Sequence, residues 1–578
     1  MPARHAGLLL LLALTPLWLT GMFGRGLWTP DEPREADSAW RMSEQHDRTL
    51  PQLAGTPFLE KPPLSYWMAA AAIGAFGDSP AAARLPNLLY ASITALALGA
   101  LLLAMETGTV AALIGALVGA SALTAWRVSI WLAPDACLLA GNALALLGAW
   151  LGYCAPAGAR KAAGYALMHL GAAIGFMAKS APGWLVPALA LLTLIVWERR
   201  WSELRRWELY AGVLLQALII APWLWAVAHS ANGAEALRAL FWHNVVGRFT
   251  RVAAPAALDY TSGHPNTPGK YLLELPLYLL PWTLLVAAAL GRAWRRVRER
   301  DRRASAWRFA LGASGPFLAL LSIAATARDV YAAPALLGLA LLTGLWLSEV
   351  QSATTPLGWA LGGTRVLVAL ANGALIVALL VLGLAGAAAM PACLAAATAA
   401  ALGSVVALAL ARGAQRAGAL PRSLAWTYTG YTAAVCVTAL VVLPVIDRWQ
   451  DLPSLARRIQ ADRGGAPLAL LDPDETTIAM LDHGLGTHVI ILRSNAEAPG
   501  ARLLRYFRSA GMGARVLVLL PGHASGALTR WLGHWRDRGV TDDGVVASLT
   551  ASKEALLLQR YELPEGRRYA LLAPPPAL

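Results

Sequence analysis

PPLSYWMAAAAIGAFG, residues 62–77, is apolar almost throughout, and whether it crosses a membrane decides how the rest of the chain is threaded. The run offers about fifteen residues against the roughly 20 that a helix needs to span hydrocarbon. If it crossed, every later connection would change sides and the arginine-rich runs would emerge on the outer face, against the usual retention of Lys and Arg in the cytoplasm. It is therefore read as a helix lying in the interface.

The composition asks for many spans. Of 578 residues, 57% are hydrophobic and 14% charged, and the mean hydropathy is +0.51, too apolar for a soluble multidomain chain. Windows of spanning length predict a polytopic α-helical protein of about 13 membrane helices. They fall near 6–24, 83–103, 107–126, 135–153, 162–178, 182–197, 209–228, 271–290, 307–323, 332–350, 364–386, 391–411 and 424–446. Threaded in that order, Arg160 and Lys161, ERRWSELRRW (198–207), RAWRRVRERDRR (292–303), Arg412, Arg416 and Arg422 share one side, which is then the cytoplasm. Topology thus accounts for the net charge of +14, and nucleic acid is not expected as a partner. MPARH and the apolar run after it resemble a signal peptide, but no small-x-small cleavage site precedes GMFGRGLW, so the segment is read as a retained first span. Cys137, Cys154, Cys393 and Cys436 lie in or beside spans at no metal-like spacing and imply packing, not a disulfide framework.

The same threading places outside a first long loop (25–82), turns around Trp126 to Asp135 and Arg328 to Tyr331, a second long loop (229–270) and everything after Asp447. Residues 1–446 are one membrane domain on this reading. DSAWRMSEQHDRTL (37–50) has helical spacing among its charges, so the first loop carries interfacial helices. Beyond 447 the pattern turns to β-rich runs: PLALLD (467–472), HVIIL (488–492), ARVLVLL (514–520), EALLLQRYEL (554–563) and RRYALLA (567–573). Helical or turn-rich segments such as SGALTRWLGHWRDRG (525–539) separate them, predicting a small α/β domain over 447–578. GMG (511–513) is too short for a dinucleotide fingerprint, and DPDE (472–475) reads as a solvated turn rather than a metal site. Neither a fixed-period repeat nor inverted halves are visible.

WTPDEPREAD (28–37) sets Asp31 and Glu32 where the first span meets the outer surface, FLEKPP (58–63) follows, and APD (133–135) comes from another turn. Taken singly, each charge is equally an ordinary interfacial one that keeps its head in water. Together, separate outward segments deliver Asp31, Lys61, Asp135, Arg248 and Arg328 to one leaflet. A site assembled there from several loops suits a substrate that is partly lipid.

Asp-Glu-x-Arg shortly after a Trp, with Glu-Lys-Pro some 25 residues later, resembles the bacterial 4-amino-4-deoxy-L-arabinose transferases that modify lipid A. These are relatives of the protein O-mannosyltransferases in the GT-C class, and the resemblance runs the whole chain. It implies Asp31 as the principal catalytic carboxylate and Asp135 as a second. It implies Lys61 and Arg248, the latter in HNVVGRF (243–249), as holders of the phosphate of a polyprenyl-phosphate sugar, with Arg34, Arg328 and Lys179 (in MAKS) beside them and Tyr331 (in YAAP) assisting. No cofactor is required. Glu60 and His264 (in GHPNTP) are the candidates for a divalent metal such as zinc, His264 being nearer the family pattern than His243, though one Glu and one His make an incomplete set. The chain departs from the family twice. Ala327 stands where a lysine is usual four residues before the tyrosine, with Arg328 one residue later, and His264 lies one residue farther from its proline, Pro268.

The function implied is transfer of 4-amino-4-deoxy-L-arabinose, or a related sugar, from undecaprenyl phosphate to a lipid A phosphate at the periplasmic face of the bacterial inner membrane. Two alternatives stay open. One is a transferase of mannose or another hexose to protein or polysaccharide. The other is a transporter or flippase of lipid-linked sugars, which would place polar residues at mid-bilayer and broken helices in matched halves. The sugar, the acceptor, the role of the terminal domain and the oligomeric state are not legible in the sequence.

Overall fold

A computed structural model of the chain describes residues 3–45, 48–250, 265–351, 358–486, 489–494, 497–511, 513–522 and 541–575. The stretch at 62–77 forms a helix over Leu64–Phe76. Its 13 residues measure about 20 Å, well short of a hydrocarbon core of about 30 Å. Among the described residues nine helices are long and apolar enough to cross a membrane, ten if the pair Thr109–Ser121 and Leu123–Ile130, bent by 67°, is one span.

Every segment expected to span is helical, and the polytopic α-helical class is borne out, but the count of 13 is not reached by length and composition alone. The expected 162–178 span is the Ala159–Lys179 helix, which carries Arg160, Lys161 and Lys179. The 182–197 span is only 17 residues long, Pro182–Glu198. The 271–290 span is interrupted: Lys270–Tyr278 ends before a turn that contains Pro281, and Thr283–Arg296 follows. Proline lacks the N–H that would continue the ladder through that turn.

Contacts divide the chain into two units. One comprises Met1–Gly24, Leu59–Met68 and Arg84–Val442; the other comprises Arg25–Phe58, Ala69–Ala83 and Leu443–Leu578. In the first, the helices Asp135–Cys154 and Ala159–Lys179 form an antiparallel hairpin. Their backbones touch: a Cβ added at Gly141 would lie 2.5 Å from the Gly175 nitrogen, and one at Gly148 would lie 2.2 Å from the Met168 nitrogen. Lipid is as apolar as leucine, so helices in a bilayer gain contact by close approach over small residues. At the hairpin's turn end, fully buried Lys161 donates to Glu203 at 2.5 Å and to the Gly152 carbonyl at 2.7 Å, and Tyr165 donates to the same carboxylate at 2.6 Å. Arg292 and Arg296 both pair with Glu349 at 2.6 Å, so part of the basic excess at these connections is neutralised in place.

In the second unit, strands β1 (Gln52–Leu53) and β2 (Thr56–Pro57) make a short hairpin. A five-stranded sheet is built from β3 (Leu468–Leu471), β4 (Ile490–Leu492), β5 (Arg515–Leu520), β6 (Leu556–Glu562) and β7 (Arg568–Ala573). The strand order is β4-β3-β5-β7-β6. Strand β3 runs parallel to both neighbours, and β7 runs antiparallel to β5 and β6. All five expected β-rich runs are strands; SGALTRWLGHWRDRG lies outside the described residues. The Glu32–Glu44 helix of the first loop is buried along most of its length. Arg41 pairs there with Asp37 and with Asp482, whose side chain is fully buried.

Candidate functional site

The hairpin fixes one half of the site. Asp135 is the first residue of its helix and Lys179 the last of the next, so the antiparallel pairing brings a carboxylate and an ammonium to the same end. Each charge also sits at the helix terminus that favours its sign. Lys179 Nζ lies 2.5 Å from Asp135 Oδ1 and 4.8 Å from the centre of the Tyr331 ring, a cation over an aromatic face. Ser180, at φ +61°, ends the helix, and Pro182 starts the next one.

The other half comes from two outward segments. Pro62 and Pro63 fix the backbone just ahead of the Leu64–Phe76 helix, and Glu60 and Lys61 lie on the turn before them. Arg238–Val246 winds as a π-helix and passes into a short turn, Gly247–Thr250, that carries Arg248. The Arg248 guanidinium donates to Tyr331 Oη at 2.6 Å, to Glu60 Oε1 at 2.9 Å and to Asn244 Oδ1 at 3.3 Å. Its backbone is held as well: Thr326 N–H donates to the Arg248 carbonyl at 3.1 Å and Ala325 N–H to that of Phe249 at 3.2 Å. Burial alone would lower the Arg248 pKa, but neighbouring Tyr331 and Glu60 outweigh it and leave it raised, so this group is a permanent cation.

Glu60, Lys61, Asp135, Lys179, Arg248 and Tyr331 line one open cleft. Leu138, Leu185, Phe317 and Leu321 make its apolar wall. Three cations against two carboxylates leave one positive charge in excess among these lining residues. Donors converging from separate elements on a dry-walled cleft are what a phosphate with an apolar tail requires.

The other expected residues stand as follows. Arg328 is near enough for its charge to act on Arg248 but does not line the cleft. Asp31 and Arg34 belong to the second unit. There Arg34 Nη2 lies 2.5 Å from Asp31 Oδ1, and Nη1 pairs with Glu475. Adjacent Glu32 is bound by Arg25 at 2.6 and 3.0 Å and accepts from Trp28 N–H at 2.9 Å. The DPDE carboxylates are half-exposed and each has a partner. Asp472 accepts from Ser494 N–H at 2.8 Å, Asp474 accepts from Thr477 N–H at 2.9 Å and from Arg567 at 2.6 Å, and Glu475 holds Arg34.

The metal expectation finds little to hold an ion. Among the described residues no group of three or more His, Cys, Asp or Glu side chains is placed to bind one. Glu60 is paired with Lys61 at 3.3 Å and Arg248 at 2.9 Å, two cations where a divalent ion would need room. His264 lies outside the described residues. The donor set described does not fit a metal, and no chemical step is routed through one. Asn244 is the residue that sequence reading passed over: its partner, the Leu59 carbonyl, lies 185 positions away.

Residues 60–225 match the profile of the dolichyl-phosphate-mannose-protein mannosyltransferase family. Undecaprenyl phosphate-alpha-4-amino-4-deoxy-L-arabinose arabinosyl transferases are similar in sequence. Those of Pseudomonas paraeruginosa and Pseudomonas aeruginosa are 32% and 33% identical over 352 residues, and that of Edwardsiella ictaluri is 30% identical over 321. The stretch matched to the two Pseudomonas proteins is 60% of this chain and 60% of the relative's own length. In fold, the chain is similar to ArnT from Cupriavidus metallidurans in its crystal structure bound to undecaprenyl phosphate, with a TM-score of 0.72 at 19% identity over 99% of this chain and 98% of that one. The resemblance to the aminoarabinose transferases, and the polytopic helical fold it implied, are borne out.

Proposed function

We propose that this chain, an aminoarabinose-transferase-like protein of the GT-C type, moves 4-amino-4-deoxy-L-arabinose from undecaprenyl phosphate to a phosphate of lipid A. The observation that carries the reading is the convergence of Lys61, Arg248 and Tyr331 with the Lys179–Asp135 pair on one cleft that is apolar on its other wall. The similar proteins named for this transfer support the choice of sugar and donor.

The reaction is one displacement at the anomeric carbon. The bond from that carbon to the phosphate oxygen breaks, polyprenyl phosphate leaves with the electron pair, and a bond to an acceptor oxygen forms. Lys61 and Arg248 meet the charge that grows on the leaving phosphate, with Tyr331 as a further donor; fixed in advance, they need little reorganisation at the moment of reaction. Asp31 and Asp135 are the catalytic carboxylates. A lipid A phosphate is already ionised near neutral pH, so it needs orientation and charge balance rather than loss of a proton, whereas a hydroxyl acceptor would need a general base.

In this reading the protein lies in the bacterial inner membrane, with the cleft and the 447–578 domain on the periplasmic side. The test is mass spectrometry of lipid A from cells with and without the chain. A gain of one pentosamine per modified phosphate is expected. Unchanged lipid A together with a hexose appearing on protein or polysaccharide would overturn the assignment of sugar and acceptor.

A further inference from the structure

Asn244 is 9% exposed and uses its whole amide. Nδ2 donates to the Leu59 carbonyl at 2.6 Å and to the Ala239 carbonyl at 2.9 Å, and Oδ1 accepts from Arg248 Nη2 at 3.3 Å. Leu59 immediately precedes Glu60 and Lys61. One side chain thus ties the turn that carries Lys61 to the guanidinium of Arg248, from a π-helical segment, a rare backbone form that is frequent at functional sites. Only a carboxamide offers two donors and an acceptor in one plane here; a carboxylate loses both donors, and an alkyl group loses all three bonds.

We infer that Asn244 is a positioning residue that sets the spacing between Lys61 and Arg248, and thereby the affinity of the cleft for the phosphate of a polyprenyl-phosphate donor. The inference rests on the proposed glycosyl transfer. Asn244 lines the same cleft, and its amide is engaged by Leu59, Ala239 and Arg248. It holds the Glu60–Lys61 turn by its backbone and Arg248 by its head, and freed of it the two cations no longer approach a phosphate from fixed directions.

The test is binding of undecaprenyl phosphate to the purified full-length chain in detergent, comparing Asn244→Ala, Asn244→Asp, Lys61→Ala and Arg248→Ala. Each variant is first checked for a single symmetric elution peak. Asn244→Ala is expected to bind about tenfold more weakly, the effect of one lost hydrogen bond to a charged group. Asn244→Asp is expected to be at least as weak, because the carboxylate has no donor left for the Leu59 and Ala239 carbonyls. A purely structural role would weaken the binding of undecaprenyl phosphate and of the uncharged alcohol undecaprenol by the same factor, and that result overturns the inference. So does binding by both Asn244 variants within about twofold of the unaltered chain while Lys61→Ala fails to bind. If Lys61→Ala and Arg248→Ala themselves bind normally, the proposed function falls and this inference with it.

Discussion

Asp135 and Lys179 pose a question that a double-mutant cycle answers. Their side chains are 8% and 11% exposed and meet at 2.5 Å, so each is the other's main compensation for leaving water. Replacing Asp135 by Asn, or Lys179 by Met, strands the remaining charge, and breaking a buried pair in this way costs about 3–5 kcal/mol. Replacing both removes the stranded charge, and such neutral replacements are often close to isoenergetic with the pair. The double variant is therefore expected to unfold much later than the sum of the singles predicts, with a coupling energy of about 6 kcal/mol or more. Transfer should not follow stability. If Asp135 takes part in the chemistry, the double variant stays about 100-fold or more below the unaltered chain, although its fold is restored. Thermal unfolding in detergent and sugar transfer from a labelled lipid-linked donor, on the same preparations, give the two readouts. A double variant that regains both stability and transfer would refute the catalytic role and leave the pair as a structural tie.

Four further outcomes are expected. Arg248→Lys keeps the charge but cannot hold Tyr331, Glu60 and Asn244 together; loss of two such bonds at about 1.5 kcal/mol each lowers transfer about 100-fold, and activity within about threefold would argue against the clamp. Asp31→Asn lowers transfer mildly if a lipid phosphate is the acceptor and by about 100-fold or more if a hydroxyl must be deprotonated, so the size of the loss in a purified assay reports the acceptor class. Arg41→Ala removes the ion pair to the fully buried Asp482 side chain and destabilises the second unit by about 3–5 kcal/mol, read as a lowered transition in thermal unfolding; an unshifted transition counts against the burial of this pair. The fourth concerns pH. Burial pushes the Asp37 carboxyl up to about 6 despite the bonds from Ala54 N–H and Arg41, so the folded state holds that proton more tightly than the unfolded chain. Stability is then lost as pH rises from about 4 to about 6, by about 3 kcal/mol for this group. Burial would lower the His483 pKa, but the hydrogen bond to Asp78 and the surrounding carboxylates raise it, and its contribution is likewise lost as pH rises through the folded value. Asp37→Asn should flatten the curve of unfolding temperature against pH below about 6 and His483→Gln above it; unchanged curves would speak against both assignments.

The membrane helices were legible because hydrocarbon tolerates so little else: any run long and apolar enough has one stable state there. Breaks within those runs were not. The bend between Ser121 and Leu123 interrupts the expected 107–126 span, which has no charge and no proline, and nothing local distinguishes Ala122 from its neighbours. The cleft was legible in part. Glu60 and Lys61 stand out beside two prolines, and Lys179 is costly enough in a span to announce a partner. The partner's identity was set by helix register, and the role of Glu60 as a counter-ion to Arg248 depends on a contact 188 positions apart. Asn244 carried no signal, since an asparagine beside a histidine in a loop is unexceptional until its hydrogen bonds are seen.

The touching backbones at Gly141 and Gly148 have a consequence for life in different lipids. A bilayer that thickens or thins with growth temperature changes the tilt of the helices it encloses. It cannot slide one member of this hairpin past the other, because main-chain atoms already in contact block the movement. The two helices lean as one rod, and the gap between the acid at one tip and the amine at the other stays constant while the surrounding fatty acids change.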